Sequence, residues 1–155
     1  MKEIERKFLV NDEIQTILLN LSPKKIQQGY LAESEKGVVR VRTKGEKGFL
    51  TIKSSNNGIS RDEFEYEIPY HEAEEMLKLF CSASISKERY TINYGQHLWE
   101  IDVFHGKLEG LIVAEIELKS EDEVFEIPKW IDKEVSDDKR YYNSNLIHLT
   151  SACEL

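Results

Sequence analysis

A charge alternation with a period of two recurs in segment after segment of this chain, and it constrains the fold more than any other feature. In KEIERKFLV (residues 2–10), Glu3, Glu5 and Lys7 fall on one side of an extended chain, opposite Ile4 and Phe8. That spacing predicts a β-strand. GVVRVRTK sets Arg40 and Arg42 against Val39 and Val41, and FLTIKS sets Thr51 and Lys53 against Leu50 and Ile52. In SRDEFEYEIP the charged side holds Arg61, Glu63, Glu65 and Glu67, opposite Phe64, Tyr66 and Ile68. SKERYTINY has Lys87 and Arg89 opposite Tyr90 and Ile92, and HLWEIDVF has Glu100 and Asp102 opposite Trp99, Ile101 and Val103. GLIVAEIELK repeats the pattern with Glu115 and Glu117 against Ala114, Ile116 and Leu118. With IQQGYLAE as a further strand, eight are predicted, joined by turns such as 45–48, 56–58 and Gly95-Gln96, and therefore largely antiparallel. Helices are expected over 11–20, 71–80 and 136–149, the last opening at Ser136.

The charged faces admit two explanations. They can be the wet side of a sheet whose other side is the core, which is common for a single strand. Yet acids at i and i+2 stand only roughly 6.5–7 Å apart along a strand, and like charges so close repel. Six strands of such pairing are better explained by an eight-stranded closed barrel with a charged interior, its apolar faces outward under a few helices, and no edge strands. Acids in such a bore would hold a hard divalent cation, and bases would hold an anion rich in charge, such as linked phosphates.

Composition limits the partners. The 155 residues are expected to form one domain, 1–155, and carry 21 Lys and Arg against 29 Asp and Glu, a net charge of −8. That balance argues against nucleic-acid binding, which needs a basic face. Cys81 and Cys153 are too few for a disulfide scaffold, no leader is expected before MKEIERKFLV, and no apolar run is long enough to span a membrane. A cytoplasmic protein with no membrane partner is the expectation. No zinc-protease HExxH, GxxxxGK phosphate loop or nucleophilic triad is present.

Glu3-Ile4-Glu5-Arg6-Lys7 fits an ExExK signature. In register with VRVR (39–42), TIKS (51–54), the acids of SRDEFEYEIP, KxR (87–89), WEIDVFHG (99–106), AEIEL (114–118) and EVSDDKRYYN (134–143), the chain resembles the short bacterial members of the CYTH superfamily, the triphosphate tunnel metalloenzymes. The resemblance implies an antiparallel tunnel and hydrolysis of a triphosphate, with inorganic tripolyphosphate the leading substrate and Mg²⁺ or Mn²⁺ as cofactor. It implies Glu3, Glu5 and Glu117 as metal ligands, and Lys7, Arg40, Arg42, Lys53, Lys87 and Arg89 as the triphosphate cradle. Arg140, or its neighbour Lys139, would close one mouth. Glu63, Glu65, Asp102 and Glu115, with Lys7, would complete the catalytic lining, and Glu100 shares their face. A class IV-type adenylate cyclase, a thiamine or nucleoside triphosphatase, and a non-catalytic polyphosphate-binding module are the alternatives. A homodimer is compatible with the resemblance.

Overall fold

A computed structural model describes residues 1–155. Nine strands form: β1 (Lys2–Val10), β2 (Lys24–Ser34), β3 (Gly37–Lys44), β4 (Lys47–Ser54), β5 (Ser60–Ile68), β6 (Ile85–Tyr94), β7 (His97–Phe104), β8 (Ile112–Glu117) and β9 (Ile131–Glu134). Eight of them run β5-β4-β3-β2-β6-β7-β8-β1, and β1 returns to β5, which closes the ring. Every pairing is antiparallel. The expected barrel is therefore present, with short hairpins setting its register. Lys44 faces Lys47 across a two-residue turn in which Gly45 takes φ +59°, a conformation that favours glycine.

The ring closes by a split edge. One edge of β1 pairs with β8 through residues 5–9, while its other edge pairs with β5 only over residues 2–4. Beyond that point β9, absent from the predicted strands because it is only four residues long, takes over at Phe8 and Val10. Between the two, the Lys7 amide donates to Ser136 Oγ (2.9 Å) and the Lys7 carbonyl accepts from the Val135 amide (2.8 Å). The backbone groups exposed where the strands part are thus satisfied by residues 135–136.

Apolar packing lies mainly on the outer wall. Ile4, Phe8, Trp99, Ile101, Ala114 and Ile116 point outward and meet Ile14 and Leu18 of α1 (Glu13–Leu18), with Leu118 and Trp130. Trp99 is fully buried, and its ring lies 5.5 Å from Phe8, 5.8 Å from Phe125 and 5.4 Å from Trp130. Tilted and edge-on pairs of this kind contribute about 0.5–1.5 kcal/mol each beyond area burial. Helix α2 (Tyr70–Phe80) covers β3 and β4, coming so close that a Cβ on Gly48 would stand 2.8 Å from that of Ala73. The helices do not cover everything: Ile52, Phe64 and Tyr66, on the outer face of β4 and β5, remain exposed.

Two expectations are corrected here. The charged faces become apolar at one end of the bore, where Ile85, Phe104 and Val113 continue the faces of Lys87, Asp102 and Glu115 and pack with Leu108, Tyr141, Leu146 and Ile147. The segment 136–149 is not one helix. Asp138 accepts the Arg140 amide (3.1 Å) and winds Lys139–Tyr141 into a 3₁₀ turn, and Tyr142 is extended (φ −68°, ψ 134°). Only then does α3 (Asn143–Leu146) form. Short aspartate-to-backbone bonds compete with helix in this way, and burying Tyr141 and Leu146 against the barrel end outweighs the lost helical turns. No helix is long and apolar enough to cross a membrane.

Candidate active site

The bore is two connected chambers. One, of about 320 Å³, is lined by Lys44, Arg42, Arg89, Glu65, Glu100, Glu115 and Glu117 among others. The other, of about 510 Å³, opens among Ser34, Ser54, Ser55, Asn56, Lys139 and Tyr142. Glu3, Glu5, Arg40, Lys53, Arg61 and Asn143 belong to both and form the waist. Strand alternation places every one of the charged waist residues inward, and the register decides which of them meet.

One wall is cationic. Arg40 and Arg42, two apart on β3, share a single carboxylate: Glu65 lies 3.6 Å from Arg40 and 3.1 Å from Arg42, and also accepts from Thr51 Oγ1 at 2.7 Å. Burial, then the neighbouring Arg40, lowers the Arg42 pKa to about 10. Burial would raise the Glu65 pKa, but Arg42, Thr51 and Arg40 outweigh it and hold it low. The buried Nε atoms of both arginines have no acceptor in the protein. Buried charged donors without partners are costly, and the two guanidinium groups, which line the chamber side by side, present concentrated positive charge to it.

The facing wall is anionic. Glu5 stands directly opposite Glu117 on β8, and Glu115 directly opposite Glu100 on β7. The second pair is compensated, because Arg89 lies 2.5 Å from Glu100 and 3.5 Å from Glu115, and Lys7 lies 3.4 Å from Glu115. These cations overcome burial and bring the Glu115 pKa down to about 2. The first pair is not compensated in the same way. Glu117 joins no ion pair, and the nearest cation partner of Glu5 is Arg61 at 3.9 Å. Burial, then Glu115 and Glu3, push the Glu5 pKa up, and burial, then Glu3 and Glu5, push that of Glu117 up. Glu3 is held by Lys53 (2.9 Å) and Arg61 (3.1 Å), with Glu63 3.2 Å from Lys53.

These oxygens fit a hard divalent cation chemically, since opposed carboxylates short of positive charge are what such an ion binds. Geometrically the set is unassembled: no three acidic, histidine or cysteine side chains converge on one cation-sized point. Glu3 would have to leave its cationic partners to join Glu5 and Glu117.

The other expected residues divide by depth. Lys87 and Asp102 do not line either chamber. They are buried behind Arg89, with Asp102 2.5 Å from Lys87 and 2.6 Å from Arg89 Nε. Burial lowers the Lys87 pKa to about 8 against the pull of Asp102. Burial would raise the Asp102 pKa, but Arg89 and Lys87 hold it far below the ordinary carboxylate range. Lys7 reaches the bore and also donates to the Tyr141 carbonyl (3.1 Å). Arg140 is turned away, closed on Asp138 at 2.6 Å, and it is Lys139 that lines the wider mouth. Sequence reasoning placed Arg61 on the charged face without a role and did not single out Asn143. For Arg61 the signal was its parity with Glu63 and Glu65; for Asn143 there was none, because a local chain break positions it.

A ring of eight antiparallel strands with charge facing inward agrees with the comparisons. The CYTH domain model matches residues 1–145. An inorganic triphosphatase of Acetivibrio thermocellus is 46% identical over 148 residues, spanning 94% of this chain and 93% of the relative. One from Nitrosomonas europaea is 37% identical over 155 residues, spanning 94% and 97%. A solved structure of an inorganic triphosphatase superposes with a TM-score of 0.66 at 34% identity, covering 96% of this chain and 99% of the other. A Hippeastrum protein described as having a dominant triphosphatase activity shares only the fold, at 15% identity and a TM-score of 0.59 over 76% of this chain and 80% of its own. The ExExK strand, the closed ring and a family match over nearly the whole length lead to one assignment: this chain belongs to the CYTH family.

Proposed function

We propose that this protein is a metal-dependent triphosphatase that hydrolyses inorganic tripolyphosphate to pyrophosphate and phosphate. One observation carries the reading: inside a single bore, a wall of adjacent guanidinium groups faces a directly opposed carboxylate pair, Glu5 and Glu117, that is short of positive charge. A polyphosphate brought with a divalent cation meets both demands at once. The triphosphatase relatives, similar over more than nine-tenths of the chain, support the substrate class.

In this reading Arg40, Arg42, Lys53 and Arg89 grip the phosphate oxygens. Arginine suits paired contacts to phosphate, while Lys53 acts as a compact charge. Glu65, with Thr51, fixes the two guanidiniums of β3, so little orientation remains to be lost on binding. Lys87 and Asp102 are positioning residues that hold Arg89 from behind. Glu3, Glu5 and Glu117 are the residues that would hold Mg²⁺ or Mn²⁺, which supplies Lewis-acid polarisation of a phosphoryl oxygen when bound. Lys7 and Glu115, paired at 3.4 Å beside the waist, balance charge where a water approaches the terminal phosphoryl group. Phosphoryl transfer asks chiefly for such positioning and charge neutralisation.

A phosphate-release panel tests the reading, using tripolyphosphate, ATP, thiamine triphosphate and long-chain polyphosphate, each with Mg²⁺ and Mn²⁺. Tripolyphosphate should turn over fastest, and Glu5→Gln should lower that rate by at least 100-fold, the scale of about 3 kcal/mol of lost transition-state stabilisation. Binding without release would mark a binding module, and cyclic nucleotide formed from ATP would mark a cyclase. Either result overturns the proposal.

A further inference from the structure

Arg61 stands where the two walls meet. It faces Glu3 across the β1–β5 seam and lines both chambers. Its Nε donates to Glu3 Oε2 at 3.1 Å, and its terminal nitrogen lies 3.9 Å from Glu5 Oε1. Two of the three carboxylates read as metal ligands are therefore engaged by one guanidinium, and the acids do not converge.

We propose that Arg61 is an internal counter-ion: it holds Glu3 and Glu5 until a divalent cation displaces it, and the displaced guanidinium then becomes a phosphate donor. The proposal rests on the reading of Glu3, Glu5 and Glu117 as the ligand set.

Lys53 also touches Glu3, but its position differs. When Glu3 leaves, Lys53 keeps Glu63 at 3.2 Å, whereas Arg61 has no carboxylate partner other than Glu3 and Glu5. Lys53 has a side chain 7% exposed, and Arg61, at 24%, borders open space in both chambers. Once a metal takes the two carboxylates, Arg61 is a partly buried cation with nothing to pair with, a costly state that an anion relieves. Metal binding thus favours phosphate binding, and by linkage phosphate favours the metal. Removing Arg61 removes the competitor for the carboxylates together with the donor for the phosphate.

The test is calorimetric titration of substrate-free protein with Mn²⁺ alone at neutral pH, on wild type, Arg61→Gln and Glu5→Gln. Arg61→Gln should bind Mn²⁺ about tenfold more tightly, the equivalent of one charge-assisted hydrogen bond of ~1.4 kcal/mol that the metal no longer breaks. In steady state, the Mn²⁺ concentration giving half-maximal tripolyphosphatase rate should fall while the KM for tripolyphosphate rises. Should Arg61→Gln not fold, Arg61→Lys serves: it keeps the charge without the planar fork, and tightening of two- to fivefold is expected. Unchanged or weaker Mn²⁺ binding in the variant that folds overturns the counter-ion role. Glu5→Gln separates the two claims. Loss of Mn²⁺ binding there supports the ligand set, so a failure of the Arg61 arm then refutes Arg61 alone, whereas undiminished binding overturns the ligand set and the proposal with it.

Discussion

Asp102→Asn probes the ionic network buried behind Arg89. Asp102 is 1% exposed and is the carboxylate nearest both Lys87, at 2.5 Å, and Arg89 Nε, at 2.6 Å. The amide is nearly the same size, so no cavity opens, and its oxygen can still accept one hydrogen bond. Its charge is gone, which leaves two buried cations with Glu100 at 2.5 Å and Glu115 at 3.5 Å from Arg89, and no carboxylate in an ion pair with Lys87. Breaking a buried ion pair by removing one partner costs about 3–5 kcal/mol, and the remaining acceptor places this case near ~3. For a domain of this size that is a fall in Tm of roughly 6–12 °C. Lys87, whose pKa is already about 8, should then be neutral at pH 7. Urea unfolding at pH 7 measures the loss, and methylated-lysine NMR reads the Lys87 charge. A loss below about 1 kcal/mol with Lys87 still charged would refute the view that Asp102 is the keystone of this network.

The acids of the bore also set a pH dependence. Glu5 and Glu117 have raised pKa values, so the folded state binds their protons first. Metal-free protein should therefore gain stability as the pH falls from 7 toward their ordinary 4.5. Glu115 has a depressed value, so the stability it contributes is lost below 4.5 as the pH drops through about 2, and Asp102, held lower still, gives up its share below 3.8. Melting curves in chelator should show this acidic optimum, saturating Mn²⁺ should move it toward neutrality, and a steady decline in Tm from pH 7 downward would contradict it. At the wider mouth, Lys139→Ala should raise the KM for tripolyphosphate roughly two- to fivefold, while Arg140→Ala, which breaks the exposed pair with Asp138 and the contact with the Tyr141 ring but removes nothing from the chamber lining, should leave it unchanged.

Alternation along the chain made the barrel legible, because parity alone decides which side of a closed sheet a residue faces. Parity is silent on depth. Lys87 and Arg89 share a face, yet only Arg89 reaches the chamber, because strand stagger sinks Lys87 beside Phe104. The same stagger carries Ile85 and Val113 into an apolar floor. The role of Arg61 required the β1–β5 register, a closure between residues almost sixty positions apart. The segment 136–149 has helical composition, but Asp138 spends its side chain on a backbone amide and Tyr142 stays extended, and neither is visible in apolar periodicity.

The location of Trp99, Phe8 and Trp130 on the outer wall has a consequence for how this scaffold can change. In most folded domains, one set of side chains has to provide cohesion while a rim or loop carries specificity. Here a single peptide layer separates the two tasks, so altering a residue at the waist leaves the greasy exterior jacket intact. That separation ends at the sunken ionic knot behind Arg89, where a chamber-lining side chain and the buried interior depend on the same atoms.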